Sequence, residues 1–173
     1  MSISSERFRR VLGHLAGGVV VVTSRDGDGV PCGMTATAVC SVSLTPPLVL
    51  ACLEIERNTH RAIQVSGIFA INVLAGEQEV LARRFAETGE TKFDGAEATP
   101  GVTGAPLLAR TLAYCECAVV QAVPAGDHTI FVGQVRAASA ASEEPARAPL
   151  VHFRGAYGTL AGGPDPGASS VRP

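Results

Sequence analysis

Four short stretches carry the side chains that could do chemistry. The first is Gly33-Met34-Thr35-Ala36-Thr37-Ala38, followed by Ser41-Val42-Ser43. Small residues let a flat ligand approach the backbone, whose N–H groups can bond its heteroatoms, and hydroxyls add adaptable donors and acceptors. Threonine is also simply a common strand residue. The second is Glu54-Ile55-Glu56-Arg57-Asn58-Thr59-His60-Arg61, at a junction of strand and helix. Free N–H groups, capping side chains and two arginines make a reasonable phosphate cradle. A plain capped helix with solvated arginines is the alternative.

The third stretch is Arg83-Arg84-Phe85, with Lys92-Phe93 after it. Positive charge beside an aromatic ring suits a phosphorylated, flat ligand; a helix that buries Leu81 and Phe85 while its arginines face water would read the same. The fourth is Gly126-Asp127-His128-Thr129. A histidine at a hairpin tip can donate to a ligand or carry a proton near neutral pH, although Gly and Asp are also what any turn uses.

Several classes have no motif to stand on. There is no GxGxxG after a strand, no GxxxxGK[ST], no GxSxG and no HExxH. His14, His60, His128 and His152 do not fall at metal-ligand spacing, so no metal is expected. Cys32, Cys40, Cys52, Cys115 and Cys117 include no CxxC pair and read as structural thiols of a reducing, cytoplasmic protein. Cys115-Glu116-Cys117 places two thiols on one face of a strand.

Composition bounds the rest. The chain has 173 residues, 46% hydrophobic and only 17% charged, which excludes a disordered chain and allows one well-cored domain. A net charge of −2 leaves no basic field for nucleic acid. No apolar run approaches the length of a membrane span, and the first residues lack the apolar core of a signal peptide. Lys92 is the only lysine; the remaining basic residues are arginines.

The elements that must position these stretches follow from periodicity. Phe8, Val11, Leu12 and Leu15 mark an amphipathic helix ended by Gly17-Gly18. Val19 to Thr23 is a β-branched strand, and Arg25-Asp26-Gly27-Asp28-Gly29 is hairpin chemistry leading to a second strand over about Cys32–Val39. Ser41 to Leu44 runs into the rigid break Thr45-Pro46-Pro47, and Leu48–Leu53 is a third strand. Asn58 or Thr59 caps a short helix over Arg61–Val65, stopped by Gly67. Phe69–Leu74 is a strand and Glu77–Ala86 a helix in which Glu79 and Arg83 can pair. Gly89 to Pro106 reads as an irregular loop. Two long strands, about Leu112–Val123 and Thr129–Ala138, flank the turn at Gly126. Ser139 to Pro149 is a polar loop, Leu150–Phe153 a last short strand, and the residues from 161 onward a disordered tail outside a domain spanning 1–160. Strands without regular alternation with helices point to a mainly β, closed antiparallel barrel with peripheral helices.

In this order and register, the stretches make the chain resemble the flavin reductase family, the short-chain NAD(P)H:flavin oxidoreductases of two-component monooxygenases. The landmarks run from Phe8 to Leu160: Gly18-Val19 with Val21-Val22-Thr23; Gly33-Met34-Thr35-Ala36; Ser41-Val42-Ser43 with Pro46-Pro47; Asn58-Thr59; Phe69-Ala70-Ile71-Asn72-Val73-Leu74; Arg84-Phe85-Ala86; and Gly126-Asp127-His128-Thr129. The resemblance implies an FMN-binding split β-barrel of antiparallel Greek-key type, as a homodimer. It implies that Met34, Thr35, Ala36 and Thr37 border the flavin ring, and that Ser41, Val42 and Ser43 follow its edge and ribityl chain. Cys52 and Leu53 belong to the same implied contact set. Glu54, Asn58 and Thr59 would lie near the phosphate, with Arg84, Phe85 and Lys92 closing over it. His128 becomes the nicotinamide contact, and Tyr157 flanks the site. Thr37 stands where many relatives carry Asn, so this position offers a hydroxyl in place of an amide's paired donor and acceptor.

The implied reaction is hydride transfer from NADH or NADPH to FMN or FAD, with reduced flavin passed to an oxygenase or halogenase partner. A non-catalytic flavin-binding module on the same fold is the competing class. A pyridoxamine-phosphate oxidase-like enzyme on a related barrel is a third reading, and it would want a more basic phosphate pocket. The stretch Gly126-Asp127-His128-Thr129 and the hydroxyls after Gly33 favour the reductase.

Overall fold

Successive valines from Val19 to Val22 point to opposite sides of the chain, and both sides are buried. Val20 and Val22 belong to one core cluster, Val19 and Val21 to another. A β-branched run without polar alternation is what a strand covered on both faces needs.

The structure is a computed structural model that describes residues 3–89, 91–141 and 147–160. Helix α1 (Ser5–Leu12) and the short strand β1 (Gly17–Gly18) precede β2 (Val20–Arg25), β3 (Pro31–Ala36), β4 (Val39–Leu44) and β5 (Pro47–Glu54). Next come α2 (Asn58–Ser66), β6 (Ile68–Val73), α3 (Glu79–Ala86) and the short strands β7 (Ala98–Pro100) and β8 (Pro106–Leu108). The long hairpin of β9 (Ala113–Ala125) and β10 (His128–Ala140) follows, then a small hairpin of β11 (Leu150–Phe153) and β12 (Ala156–Thr159).

Seven strands form one antiparallel sheet in the order β3-β2-β6-β9-β10-β5-β4. β3 lies at one end of that order yet packs against β5 near the other, so the sheet is rolled around its interior. Phe69, Phe131, Leu53, Ile71 and Ile63 fill this interior. Each such side chain contributes about 1.5–3 kcal/mol on burial. A second cluster, with Val19, Val21, Leu74, Phe85, Leu108 and Leu150, lies outside the roll beneath α3 and the small hairpin. The mainly β, antiparallel architecture with peripheral helices is the one the sequence predicts.

Several boundaries differ for physical reasons. The first helix ends at Gly13, because Gly17 and Gly18 pair with His152 and Val151 of β11. The strand expected over Cys32–Val39 is two strands: the chain leaves β2 after Ala36 and pairs with β5 from Val39 onward. No straight strand could serve both ends of the sheet. The helix expected from Arg61 begins at Asn58 with Arg57 as N-cap, and the helix expected from Glu77 opens with a 3-10 turn over Gly76–Gln78.

The supposed loop from Gly89 to Pro106 contains the β7 strand of the β7–β8 hairpin, held by partners far away in sequence. Glu116, 1% exposed, accepts from the N–H and hydroxyl of Thr103 at 2.8 and 2.9 Å. Asn72 accepts from Leu108 N–H at 2.9 Å and donates to Val21 O and Thr23 Oγ1 at 3.1 and 3.0 Å. Asn72 therefore closes a buried polar bracket between β6, β2 and β8, and every polar atom of its amide is used. Cys115 and Cys117 face the interior while Glu116 faces the hairpin, as period two requires. Burial and the neighbouring Cys115 and Glu116 push the Cys117 thiol up to about 12. Cys40, by contrast, is exposed. No helix among the described residues is long and apolar enough to cross a membrane. The expected tail, from 161 onward, lies outside the described residues.

Candidate active site

Helix α2 buries Thr59, His60, Ala62 and Ile63 against the roll and ends at Gly67, whose φ of 68° suits a residue without a side chain. Its other end opens into a cleft of about 660 Å³. Arg57 is the N-cap, with extended backbone and no side-chain capping bond. The N–H groups of the first turn thus meet no side-chain acceptor of the cap and carry the positive end of the helix dipole.

Three cations line the cleft: Arg57, Arg61 and Lys92. Arg57 Nε donates to Glu54 Oε2 at 2.7 Å, and Arg61 donates to Asn58 Oδ1 at 2.9 Å. Lys92 Nζ donates to the carbonyls of Gly33 and Phe85, both at 3.2 Å, and so joins β3 to the last turn of α3. Burial lowers the Lys92 pKa below the usual lysine range, and the positive charge of Arg57 lowers it further. Asp26 and Glu56 also line the cleft, and Cys32 and Phe93 add less polar surface. Burial raises the Cys32 pKa.

The Gly33 stretch is spent partly on packing. A Cβ on Gly33 would sit 2.6 Å from the Phe85 ring, so glycine is required there for the fold as well as for any ligand. Phe85 is fully buried, edge-on to Phe93 at 5.0 Å between ring centroids. Phe93, not Phe85, therefore presents its ring to the cleft. Thr35 Oγ1 donates to Ala82 O of α3 at 2.6 Å, and Arg84 donates to Asp94 O at 2.8 Å. Met34 and Leu53 lie in the core cluster, leaving chiefly their backbone for a ligand. Ala36 is half-buried, whereas Thr37, Ser41 and Val42 are exposed. Val42 is the extra residue of a bulge between Ser41 and Ser43. Ser43 Oγ accepts from Thr45 N–H at 3.2 Å. Cys52 is half-buried, and its N–H donates to Ala38 O at 2.9 Å.

The tip of the β9–β10 hairpin reaches the same end of the sheet. Gly126 takes φ 68° at the turn. Asp127 O accepts from Ile55 N–H at 3.0 Å, and His128 pairs with Glu54 across the β5–β10 ladder. His128 Nδ1 lies 2.7 Å from Asp127 Oδ1, and that bond holds the exposed Asp127 carboxyl below the usual range. Of the expected site residues, Asn58, Thr59 and Lys92 line the cleft; Glu54 and His128 do not, and they join it through the Arg57 bond and the Glu54–His128 rung, with Cys52 two residues before Glu54 on β5. Tyr157 does not line this cleft. It lies under the Arg83 guanidinium, 4.9 Å from its ring centroid, and edge-on to His152.

Sequence patterning marks Phe93 only as the aromatic neighbour of Lys92, and gives Cys32 and the buried pair of His60 and Thr129 no role in the site. Lys92-Phe93 was the one local signal for the cleft's aromatic wall. Nothing local pairs His60 with Thr129, which is 2.8 Å away.

Residues 12–161 match the model of the flavin reductase like domain. The chain belongs to the flavin reductase family. It is 42% identical over 156 residues to the reductase component of a 4-nitrophenol 4-monooxygenase/4-nitrocatechol 2-monooxygenase of Rhodococcus opacus, covering 90% of this chain and 81% of that one. An NADH:FAD oxidoreductase of Streptomyces globisporus, solved with NAD and FAD fragments, superposes with a TM-score of 0.84 at 36% identity, over 95% of this chain and 100% of that one. The flavin reductase component of a bacterial two-component tryptophan halogenase superposes with a TM-score of 0.82 at 37% identity, over 91% and 98% of the two chains. These flavin reductase relatives match over nearly the whole described chain, which excludes a likeness confined to one motif.

Proposed function

We propose that this protein is an NADH-dependent flavin reductase that supplies reduced flavin to a separate oxygenase or halogenase. The observation that most supports it is the meeting of the α2 N-terminus with Arg57, Arg61 and Lys92 in one cleft, to which the His128 tip is joined through its rung with Glu54. The donor set fits a flavin's phosphate: backbone N–H groups at a helix N-terminus together with fixed cations. The exposed strip of Thr37, Ser41 and Val42, beside Cys52 on β5, offers the ring small side chains and hydroxyls.

When bound, the flavin supplies the chemistry, accepting a hydride from C4 of the nicotinamide. The protein's part is orientation. Arg61, Lys92 and the first turn of α2 hold the phosphate, and Glu54 keeps the Arg57 guanidinium in place. His128, braced by Asp127, positions the nicotinamide. No side chain is needed as acid or base for the hydride step, so His128 is a contact for positioning. Backbone N–H groups of the Thr35–Thr37 segment would stabilise negative charge on the ring edge.

We also propose a homodimer with a split-barrel fold. The row Phe8, Val11 and Leu12 on α1 is uncovered, with Phe8 53% and Val11 56% exposed. The deciding experiment for the reductase reading is anaerobic mixing of protein, FMN and NADH in a stopped-flow absorbance instrument. The oxidised flavin's visible band should bleach without any oxygenase. Absence of bleaching with both FMN and FAD, and with both NADH and NADPH, would overturn it.

A further inference from the structure

His60 is 2% exposed, in the first turn of the helix whose N-terminus opens into the cleft. Its Nε2 lies 2.8 Å from Thr129 Oγ1, and its ring packs on Phe131 with centroids 5.2 Å apart. Its Nδ1 is buried with no hydrogen-bond partner, the only such side-chain atom among the described residues. Two tautomers are possible. If Nδ1 carried the proton, a buried N–H donor would be stranded. If Nε2 carries it, the stranded atom is an acceptor, the less costly and more common case in proteins. The favoured form is therefore a neutral imidazole donating from Nε2 to Thr129 Oγ1.

This bond spans two halves of the site. His60 follows Asn58 and Thr59, which line the phosphate end of the cleft. Thr129 follows His128. Thr129 stands opposite Leu53 in the β5 ladder and opposite Pro124 in the β9 ladder. The His60 side chain adds a tie from α2 to this segment that neither ladder supplies. A core histidine serving packing alone would be matched by a leucine or phenylalanine, which would strand no atom. The imidazole's one side-chain hydrogen bond is at Nε2, where a leucine or phenylalanine would make none.

We propose that His60 is a positioning residue for hydride transfer: by holding Thr129 it fixes the His128 tip relative to α2, and so sets the separation of nicotinamide and flavin. The inference rests on the reading of His128 as the nicotinamide contact. His60 touches neither ligand. Small displacements of reacting groups are costly, since a misplacement on the order of 1 Å can lower the rate about a hundredfold.

The test uses the full chain with FMN and NADH. Thr129→Val removes the hydroxyl and almost nothing else; His60→Leu removes the donor. Both should raise the KM for NADH or lower the hydride-transfer rate on the order of tenfold, with the FMN Kd unchanged. His60→Gln, whose amide N–H can reach the place of Nε2, should restore most of the loss. The double variant His60→Leu with Thr129→Val should be little worse than either single one. If His60→Leu does not fold, Thr129→Val alone decides the matter. His128→Ala is measured alongside. Should it leave NADH use unchanged, the reading of His128 fails. Should it impair NADH use while Thr129→Val gives wild-type NADH and FMN constants, His60 is structural and the proposal is overturned.

Discussion

His128 stands directly opposite Glu54 in the ladder between β10 and β5. Glu54 also accepts from Arg57 at the mouth of the cleft. Opposed Cα atoms in an antiparallel pair lie about 4.5–5.5 Å apart. The histidine read as the nicotinamide contact and the anchor of the phosphate-binding end therefore share one rung of the sheet. Backbone pairing sets the spacing within this rung, and the bond from His60 to Thr129 places α2 against it.

His128→Ala should raise the KM for NADH about tenfold, a loss of one hydrogen bond and its packing. The flavin Kd should stay within about twofold. Steady-state kinetics and flavin fluorescence titration give the two values. Equal losses in both would make His128 a part of the turn and nothing more.

Lys92→Met keeps the apolar stem and removes the ammonium. Losing a charged hydrogen bond costs about 1.5–3 kcal/mol, or roughly 10–100-fold in affinity for FMN. Riboflavin, which lacks the phosphate, should bind the variant and the parent protein alike. Parallel titrations separate charge recognition from the structural clamp on Gly33 and Phe85, which would weaken both ligands together.

Gly33→Ala forces a methyl group into the Phe85 ring. Overpacking of this kind costs about 1–3 kcal/mol. Phe85→Leu makes room, so the double variant should melt higher than the sum of the two single losses predicts. Strict additivity in thermal melts would show that the ring moves aside freely.

Burial lowers the His60 pKa below its ordinary value near 6.5. As pH falls through about 6.5, the unfolded chain takes up the proton before the folded one, so this contribution to stability is present above that pH and is lost below it. Thermal melts from neutral pH down to about pH 5 should fall more steeply for the parent protein than for His60→Gln. Parallel curves would mean that His60 titrates alike in both states.

Phe8→Glu places a charge in the exposed apolar row of α1. If that row is the homodimer contact, sedimentation velocity should find the parent protein dimeric and the variant shifted to monomer. A parent protein that sediments as a monomer at every concentration would refute the dimer.

The β-branched run at Val19, the turn at Asp26-Gly27, the stop at Gly67 and the hairpin at Gly126 were legible because each follows from local sterics and period-two or helical patterning. So was the salt bridge between Glu79 and Arg83, 2.7 Å apart one helical turn from each other. The division of Cys32–Val39 into two strands, the β7–β8 hairpin, the burial of Phe85 beneath Gly33 and the bond from His60 to Thr129 were not. In each case the deciding partner is distant in sequence: Ala51 for Val39, Glu116 for Thr103, Thr129 for His60. Local sequence can state that a residue needs burial, a turn or a hydrogen bond. Which partner satisfies that need is settled only when the rolled sheet brings β5, β10 and α2 to one end. The sequence by itself thus determined the kinds of elements and the four stretches with chemical potential. Tertiary structure decided which of their residues face the cleft and which are consumed in holding it open.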